Sequence, residues 1–213
     1  MSEQNETKKH INLQKAYNLS SPEDNVDFYR SWAEDYDTDF AGGMDYILPY
    51  QVATQFIKFN GKGPVLDVGA GTGLLGIEIS KLSKIEMHAT DISEEMLLVA
   101  EKKGIYSKNI VGDLTKGLPI LDNTYNGIVS SGTFTHGHVG PEALFEITRI
   151  LSKGGLAVLS VNSKHWHSLG FDNVLEMLKE TGLVANVTEV RIYGDKCEAD
   201  TKDDTAYLLT LSA

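Results

Sequence analysis

Cysteine is all but missing from this chain of 213 residues, with Cys197 as the single copy. A lone thiol has no intrachain partner, so neither a disulfide scaffold nor a thiolate metal cluster is available. Long apolar runs are missing too: no stretch approaches the roughly 20 residues of a membrane-spanning helix. The polar N-terminal segment has no apolar core of the kind a secretory signal carries. A cytoplasmic protein without a membrane partner is the expectation. Positive charge is the third scarcity. Nineteen Lys and Arg against 30 Asp and Glu leave a formal charge of −11, whereas holding a phosphate backbone calls for a basic face. The lysines come mostly as short pairs among acids, such as Lys8-Lys9 and Lys102-Lys103, and read as solvated surface. Nucleic acid is argued against as a partner, which leaves a small molecule or a protein side chain.

What is present is ordinary for a globular domain, with 41% apolar and 23% charged residues. The length suits one domain with a substantial core. Residues 1–20 read as a polar tail, 21–60 as a helical cap, and 61–213 as an α/β core. In the cap, Ile47, Val52, Ala53, Phe56 and Ile57 give a helical face near 46–58. Tyr29, Trp32, Tyr36, Phe40, Tyr46 and Tyr50 make this the most aromatic part of the chain, either as ordinary core or as a lid over a ligand, with Gly42-Gly43 as its joint.

From Gly63 onward short apolar strands alternate with helical patterns, the mark of a doubly wound, mostly parallel sheet. Strands are expected near 64–68, 86–90, 107–111, 126–131, 155–161, 184–193 and 204–212, seven in all. The last two lie too close together for a helical crossover and should pair antiparallel. Ser93 is placed to cap the helix holding Met96 to Ala100. Pro141 suits the first turn of a helix running to Leu151 and ended by Gly154. Phe171, Val174, Leu175 and Leu178 form a further helical stripe stopped by Gly182.

The strongest chemical signal is Val65-Leu66-Asp67-Val68-Gly69-Ala70-Gly71-Thr72-Gly73-Leu74-Leu75-Gly76. An apolar strand with one acid inside it turns through closely spaced glycines into a helix, whose free amides can receive a polar ligand. Asp91 ends the next strand 20 residues after Gly71, where a doubly wound fold places a carboxylate on ribose hydroxyls. Gly71, Gly73 and Gly76 also satisfy the dinucleotide spacing G-x-G-x-x-G. In a dinucleotide site, however, the first glycine follows the strand directly; that register gives Gly69, Gly71 and then Leu74 where the third glycine belongs. Asp67 would repel a pyrophosphate and attract an ammonium group. A cationic cofactor with an amino acid tail is the better fit, and a side-chain cap on the glycine turn is the plainer reading of Asp67.

This run of acid, glycine loop and second acid resembles the class I methyltransferases that use S-adenosylmethionine. Thr90-Asp91-Ile92-Ser93-Glu94-Glu95-Met96-Leu97, Gly112-Asp113-Leu114 and Leu151-Ser152-Lys153-Gly154-Gly155-Leu156 are similar to later segments of the family. Within it, the segments Phe28 to Asp37 and Gly132 to Val139 resemble the Williams–Beuren-region methyltransferase-like branch. The resemblance implies that Gly69, Gly71 and Gly73 hold the methionyl part of the cofactor and Asp91 the ribose. It gives Asp113 the adenine amino group and places Ile92 and Met96 on the adenine faces. Tyr36, Gly112, Leu114, Ser130 and Ser131 complete the expected cofactor site, with S-adenosylhomocysteine as product. A turn or helix cap is the alternative for Asp113.

Methyl transfer from a sulfonium is an in-line displacement that rests mainly on positioning. A base is needed only where the acceptor must lose a proton. His136 and His138, after the fourth strand, are the candidate bases, and His165 and His167 flank Trp166 after the fifth. Each is equally open to a loop hydrogen bond, and no carboxylate or cysteine pattern surrounds them to make a metal site. The alternatives are a nicotinamide-dependent oxidoreductase on the same fold, or a protein that binds the cofactor without turnover.

Overall fold

The computed structural model describes residues 44–135, 139–197 and 199–213. Leu48, Val52, Ala53 and Phe56 are buried on one side of helix α1 (Leu48–Lys58), which begins with Pro49 in its first turn, where no amide donor is needed. β1 (Val65–Val68), α2 (Leu74–Leu82), β2 (Met87–Asp91), α3 (Glu94–Lys102) and β3 (Lys108–Val111) follow in strict alternation. Then come β4 (Tyr125–Phe134), α4 (Ala143–Ile150), β5 (Leu151–Asn162), α5 (Ser163–Leu169), α6 (Phe171–Glu180), β6 (Val184–Arg191) and β7 (Thr205–Ser212).

The strands form one sheet in the order β3-β2-β1-β4-β5-β7-β6. The five strands from β3 to β5 pair in parallel, while β7 runs antiparallel to both β5 and β6. This is the α/β, doubly wound, mostly parallel seven-stranded sheet expected from the sequence. Alternation along each strand sends neighbours to opposite faces. Leu66, Val68, Ile128 and Leu159 join Leu144, Ile147, Ile150, Trp166 and Phe171 on one side, and Val65, Val129 and Val158 join Phe56, Leu75 and Ile79 on the other. Among the described residues no helix is long and apolar enough to cross a membrane.

Helix α1, in the segment expected as a cap, packs against α2, β4 and β5, while Tyr46 and Pro49 border the crevice described below; residues 21–43 lie outside the described residues. Two local expectations need correction. Pro141 sits one residue before the N-cap Glu142, in the turn that precedes α4 rather than in its first turn. That helix ends at Ile150, not at Gly154, because Leu151 already pairs with Tyr125 and begins β5. Gly154 instead takes a positive φ of 75° within an irregular stretch of the strand.

One irregularity shapes the site. Between Ser130 and Phe134 β4 advances four residues while its partner β5 advances two, from Leu159 to Val161. The surplus bulges Ser131, Gly132 and Thr133 out of register at the carboxyl end of the sheet, where a bulge re-aims side chains.

Candidate functional site

The carboxyl ends of β1, β2, β3 and β4 converge on one crevice, as an open parallel sheet requires at the point where its strand order reverses. Asp67, Gly69, Gly71, Asp91, Ile92, Met96, Gly112, Asp113, Leu114 and Ser131 all line it. So do Tyr46, Thr72, Thr90, Thr133 and Val139, to which the sequence reading assigned no cofactor contact.

The floor is the glycine turn, and its geometry follows from backbone needs. Gly69 and Gly71 have φ of 66° and 53°, the left-handed region that L side chains avoid. The amides of Gly69 and Ala70 both donate to the Thr90 carbonyl at 2.8 and 3.0 Å, stitching the turn to β2. From the other side the Ser130 and Thr133 hydroxyls donate to the Val68 carbonyl at 2.7 and 3.0 Å. Ser130 is fully buried beneath the turn, and Ser131 is the one of the pair that lines the crevice. Gly73 stands at the N-cap of α2 with its open side toward the Tyr106 ring, outside the residues that line the crevice.

The two glycines of the turn predict different failures. A Cβ on Gly69 would overlap Thr133 Oγ1, whereas one on Gly71 would meet nothing within 4 Å. Gly69→Ala should therefore lose about 3 kcal/mol of stability, from left-handed backbone strain plus the overlap. Gly71→Ala should lose only about 1 kcal/mol, from backbone strain alone. Urea unfolding of both variants checks this, and equal losses would contradict it.

The acids differ sharply in their surroundings. Asp67 is 1% exposed, inside β1. Its Oδ2 accepts from the Tyr106 hydroxyl at 2.6 Å, while its Oδ1 is buried with no hydrogen-bond partner. Burial pushes the Asp67 carboxyl up to about 7; the Tyr106 bond lowers it and the neighbouring Asp91 charge raises it further. The carboxylate that ties the glycine turn to the end of β2 is that of Asp91. Its Oδ2 accepts from the Gly71 amide at 2.8 Å and its Oδ1 from the Ser93 amide at 2.9 Å. Loss of water raises the Asp91 carboxyl, and those backbone bonds offset part of the rise.

Asp113 behaves otherwise. Its Oδ1 accepts from the amide and hydroxyl of Thr115 at 2.9 and 2.6 Å, and Lys116 Nζ lies 3.0 Å from Oδ2. Burial alone would raise this carboxyl, but the bonds from Thr115 and Lys116 outweigh it and hold the group below its usual value. Asp113 therefore caps the short 3₁₀ turn Leu114–Lys116 while also lining the crevice.

Tyr36, His136 and His138 lie outside the described residues. His165 and His167 do not reach the crevice. Both belong to α5; His165 is buried with Nε2 2.8 Å from the Val139 carbonyl, and His167 Nε2 lies 3.2 Å from the Tyr207 hydroxyl. On the acceptor side Tyr46 stands over the bulge, its hydroxyl 3.4 Å from Ser131 Oγ. Thr90 and Thr133 fall inside segments that the sequence reading quoted, but nothing in those segments marks their hydroxyls as lining the crevice.

An orphaned, fully buried carboxylate oxygen calls for a ligand that donates a hydrogen bond or carries positive charge. Among the described residues the lining holds three aspartates and no Lys or Arg. That donor set fits an ammonium-bearing sulfonium nucleoside and opposes a pyrophosphate. Fold and crevice together define a nucleoside-cofactor site of the doubly wound class.

Comparison with known proteins narrows the class. The profile described as Methyltransferase domain matches residues 65–155. Methyltransferase-like protein 27 of Homo sapiens is 28% identical over 165 residues, covering 73% of this chain and 66% of that protein. The match thus spans just under two thirds of that relative's own length. Among solved structures, a putative S-adenosyl-L-methionine-dependent methyltransferase from Methanococcus maripaludis superposes with a TM-score of 0.60 at 22% identity, covering 88% of this chain and 92% of that one. The [4+2]-cyclase SpnF superposes with a TM-score of 0.68 at 16% identity, covering 91% and 96%. Residues 65–155 thus match the methyltransferase-domain family, and the sheet with its flanking helices has the fold of these solved structures.

Proposed function

We propose that the crevice binds S-adenosylmethionine and that the chain passes its methyl group to a small-molecule acceptor, with a protein side chain as the second acceptor class. The observation that carries the reading is the partnerless Oδ1 of Asp67 beside a glycine turn with open backbone. Asp67 would hold the amino acid tail with Gly69 and Gly71, and Asp91 the ribose hydroxyls. Ile92 and Met96 would pack on the adenine, with Gly112, Asp113 and Leu114 along its edge. Tyr36 is proposed to close over the cofactor.

When bound, the cofactor supplies a methyl group on a positively charged sulfur, which needs no covalent enzyme intermediate. The chain's part is to aim and to exclude water. Tyr46, Ser131, Thr133 and Val139 supply an acceptor wall of hydroxyls and one apolar side chain, suited to a small polar molecule. His136 and His138, after β4, are proposed as the base where the acceptor must shed a proton. A cytoplasmic site of action is proposed with this reading.

Calorimetric titration with S-adenosylmethionine and S-adenosylhomocysteine, with NADH as the control, is the test. Binding of the two sulfur nucleosides and silence toward NADH is expected; the reverse pattern would install the oxidoreductase reading. Incubation with labelled cofactor and metabolite fractions should then move label into a small molecule. Tight binding with no labelled product would favour a protein that holds the cofactor without turnover.

A further inference from the structure

Tyr106 stands in the connection between α3 and β3, outside every segment that carried the sequence motifs, yet its hydroxyl reaches 39 residues back to Asp67. Two glycines make room for it. A Cβ on Gly76 would overlap the Tyr106 hydroxyl, and one on Gly73 would come within 3.0 Å of the ring. The ring also packs against Ala70, Ala89 and Leu97. Gly73 and Gly76, which satisfy the spacing of a dinucleotide fingerprint, thus serve as the socket for an aromatic ring.

We propose that Tyr106 is a positioning residue: its hydroxyl pins one oxygen of Asp67 so that the other is presented, unpartnered, to the amino group of the cofactor. The inference rests on the cofactor reading above. Geometry sets the roles, because the hydroxyl donates to Oδ2 at 2.6 Å while Oδ1 has no partner. Tyr106 keeps its proton for this task, since burial first, and then the adjacent Asp67 charge, raise the phenol well above its ordinary value. The titratable groups facing Asp67 are the Asp91 carboxylate, at the end of β2, and the neutral Tyr106 phenol; Asp91 opposes the ionised form of Asp67, and the tyrosine bond supports it. Without the hydroxyl, Asp67 would hold its proton to higher pH and its free oxygen would turn between two positions.

The experiment compares the full chain with Tyr106→Phe, titrating each with S-adenosylmethionine and with 5′-methylthioadenosine, which lacks the amino acid tail and carries a neutral thioether in place of the sulfonium, across neutral pH. Loss of one hydrogen bond to a charged group predicts S-adenosylmethionine binding roughly tenfold weaker at pH 7, with the midpoint of the pH dependence moved upward. Affinity for 5′-methylthioadenosine should not change. Unchanged affinity and midpoint for S-adenosylmethionine would overturn the role, and so would an equal loss for both ligands, which marks a purely structural residue. A parent chain that binds neither nucleoside would remove the cofactor reading and this inference with it. Should Tyr106→Phe not fold, the parent chain carrying ¹³C at tyrosine Cζ gives the answer. One resonance should respond to S-adenosylmethionine and not to 5′-methylthioadenosine, and absence of such a selective response overturns the role.

Discussion

Asp67→Asn should bind S-adenosylmethionine roughly a hundredfold more weakly at pH 8, the scale of a lost buried charge contact, and should bind it with no pH dependence around neutrality. The parent chain should behave differently. Its Asp67 carboxyl is raised to about 7 by burial, so the ligand-free protein at pH 6 is mostly protonated there and must release a proton to receive an ammonium group. Affinity in the parent should fall about tenfold for each pH unit below 7 and level off above it. Calorimetry in buffers of different ionisation enthalpy will report the released proton directly. Stability moves the other way. The folded-state value lies about 3 units above the ordinary 3.8, so the group favours folding below pH 4 and loses that advantage as pH rises through 7. The full difference is about 4 kcal/mol. Ligand-free Asp67→Asn should therefore unfold at higher urea than the parent at pH 8, and gain nothing at pH 4. A flat parent affinity profile would end this assignment of Asp67.

The same residue shows what a sequence carries and what it hides. Acid in a strand, glycine turn, and a second acid 20 residues on are local signals, and the parallel pairing of β1 with β2 turns them into contact: the Gly71 amide and Asp91 Oδ2 meet at 2.8 Å. A βαβ unit forces that meeting, so the contact between the glycine turn and the second acid was legible in the sequence. The sheet was legible for the same reason, since buried parallel strands such as Val65–Val68 have no polar face to confuse them.

Tyr106 was not legible. Its position makes sense only once Gly73 and Gly76 are seen to share a socket, and in sequence those glycines read equally well as part of a phosphate loop. The histidines after the fifth strand misled for the opposite reason. In His165-Trp166-His167 the Trp166 ring is buried against Phe171, with ring centroids 5.3 Å apart, which holds α5 to the core and points the flanking histidines at Val139 and Tyr207. The bulge that exposes Ser131 and Thr133 depends on register against β5, a relation between strands 28 residues apart in the case of the Gly132 amide and Ser160 Oγ.

Removing the Asp91 carboxylate tests whether the two acids act on different ends of one ligand. Asp91→Ala should cost about 1.5–3 kcal/mol of binding free energy, the range for a hydrogen bond to a charged group, and should cost it for adenosine as well as for S-adenosylmethionine. Asp67→Asn should leave adenosine untouched, because adenosine has no amino acid tail. The variants are nonetheless coupled. Asp91 is one of the charges that raise the Asp67 carboxyl, so deleting it should move the pH midpoint of S-adenosylmethionine binding below 7 even as overall affinity falls. Two opposite shifts from one substitution are hard to obtain by general damage, which would lower affinity at every pH alike. Asp91 also holds the Gly71 and Ser93 amides, so some loss of folding stability is expected alongside. The binding midpoint, measured on the folded fraction, separates the roles: if it stays where the parent has it, the two carboxylates do not share the ligand as described.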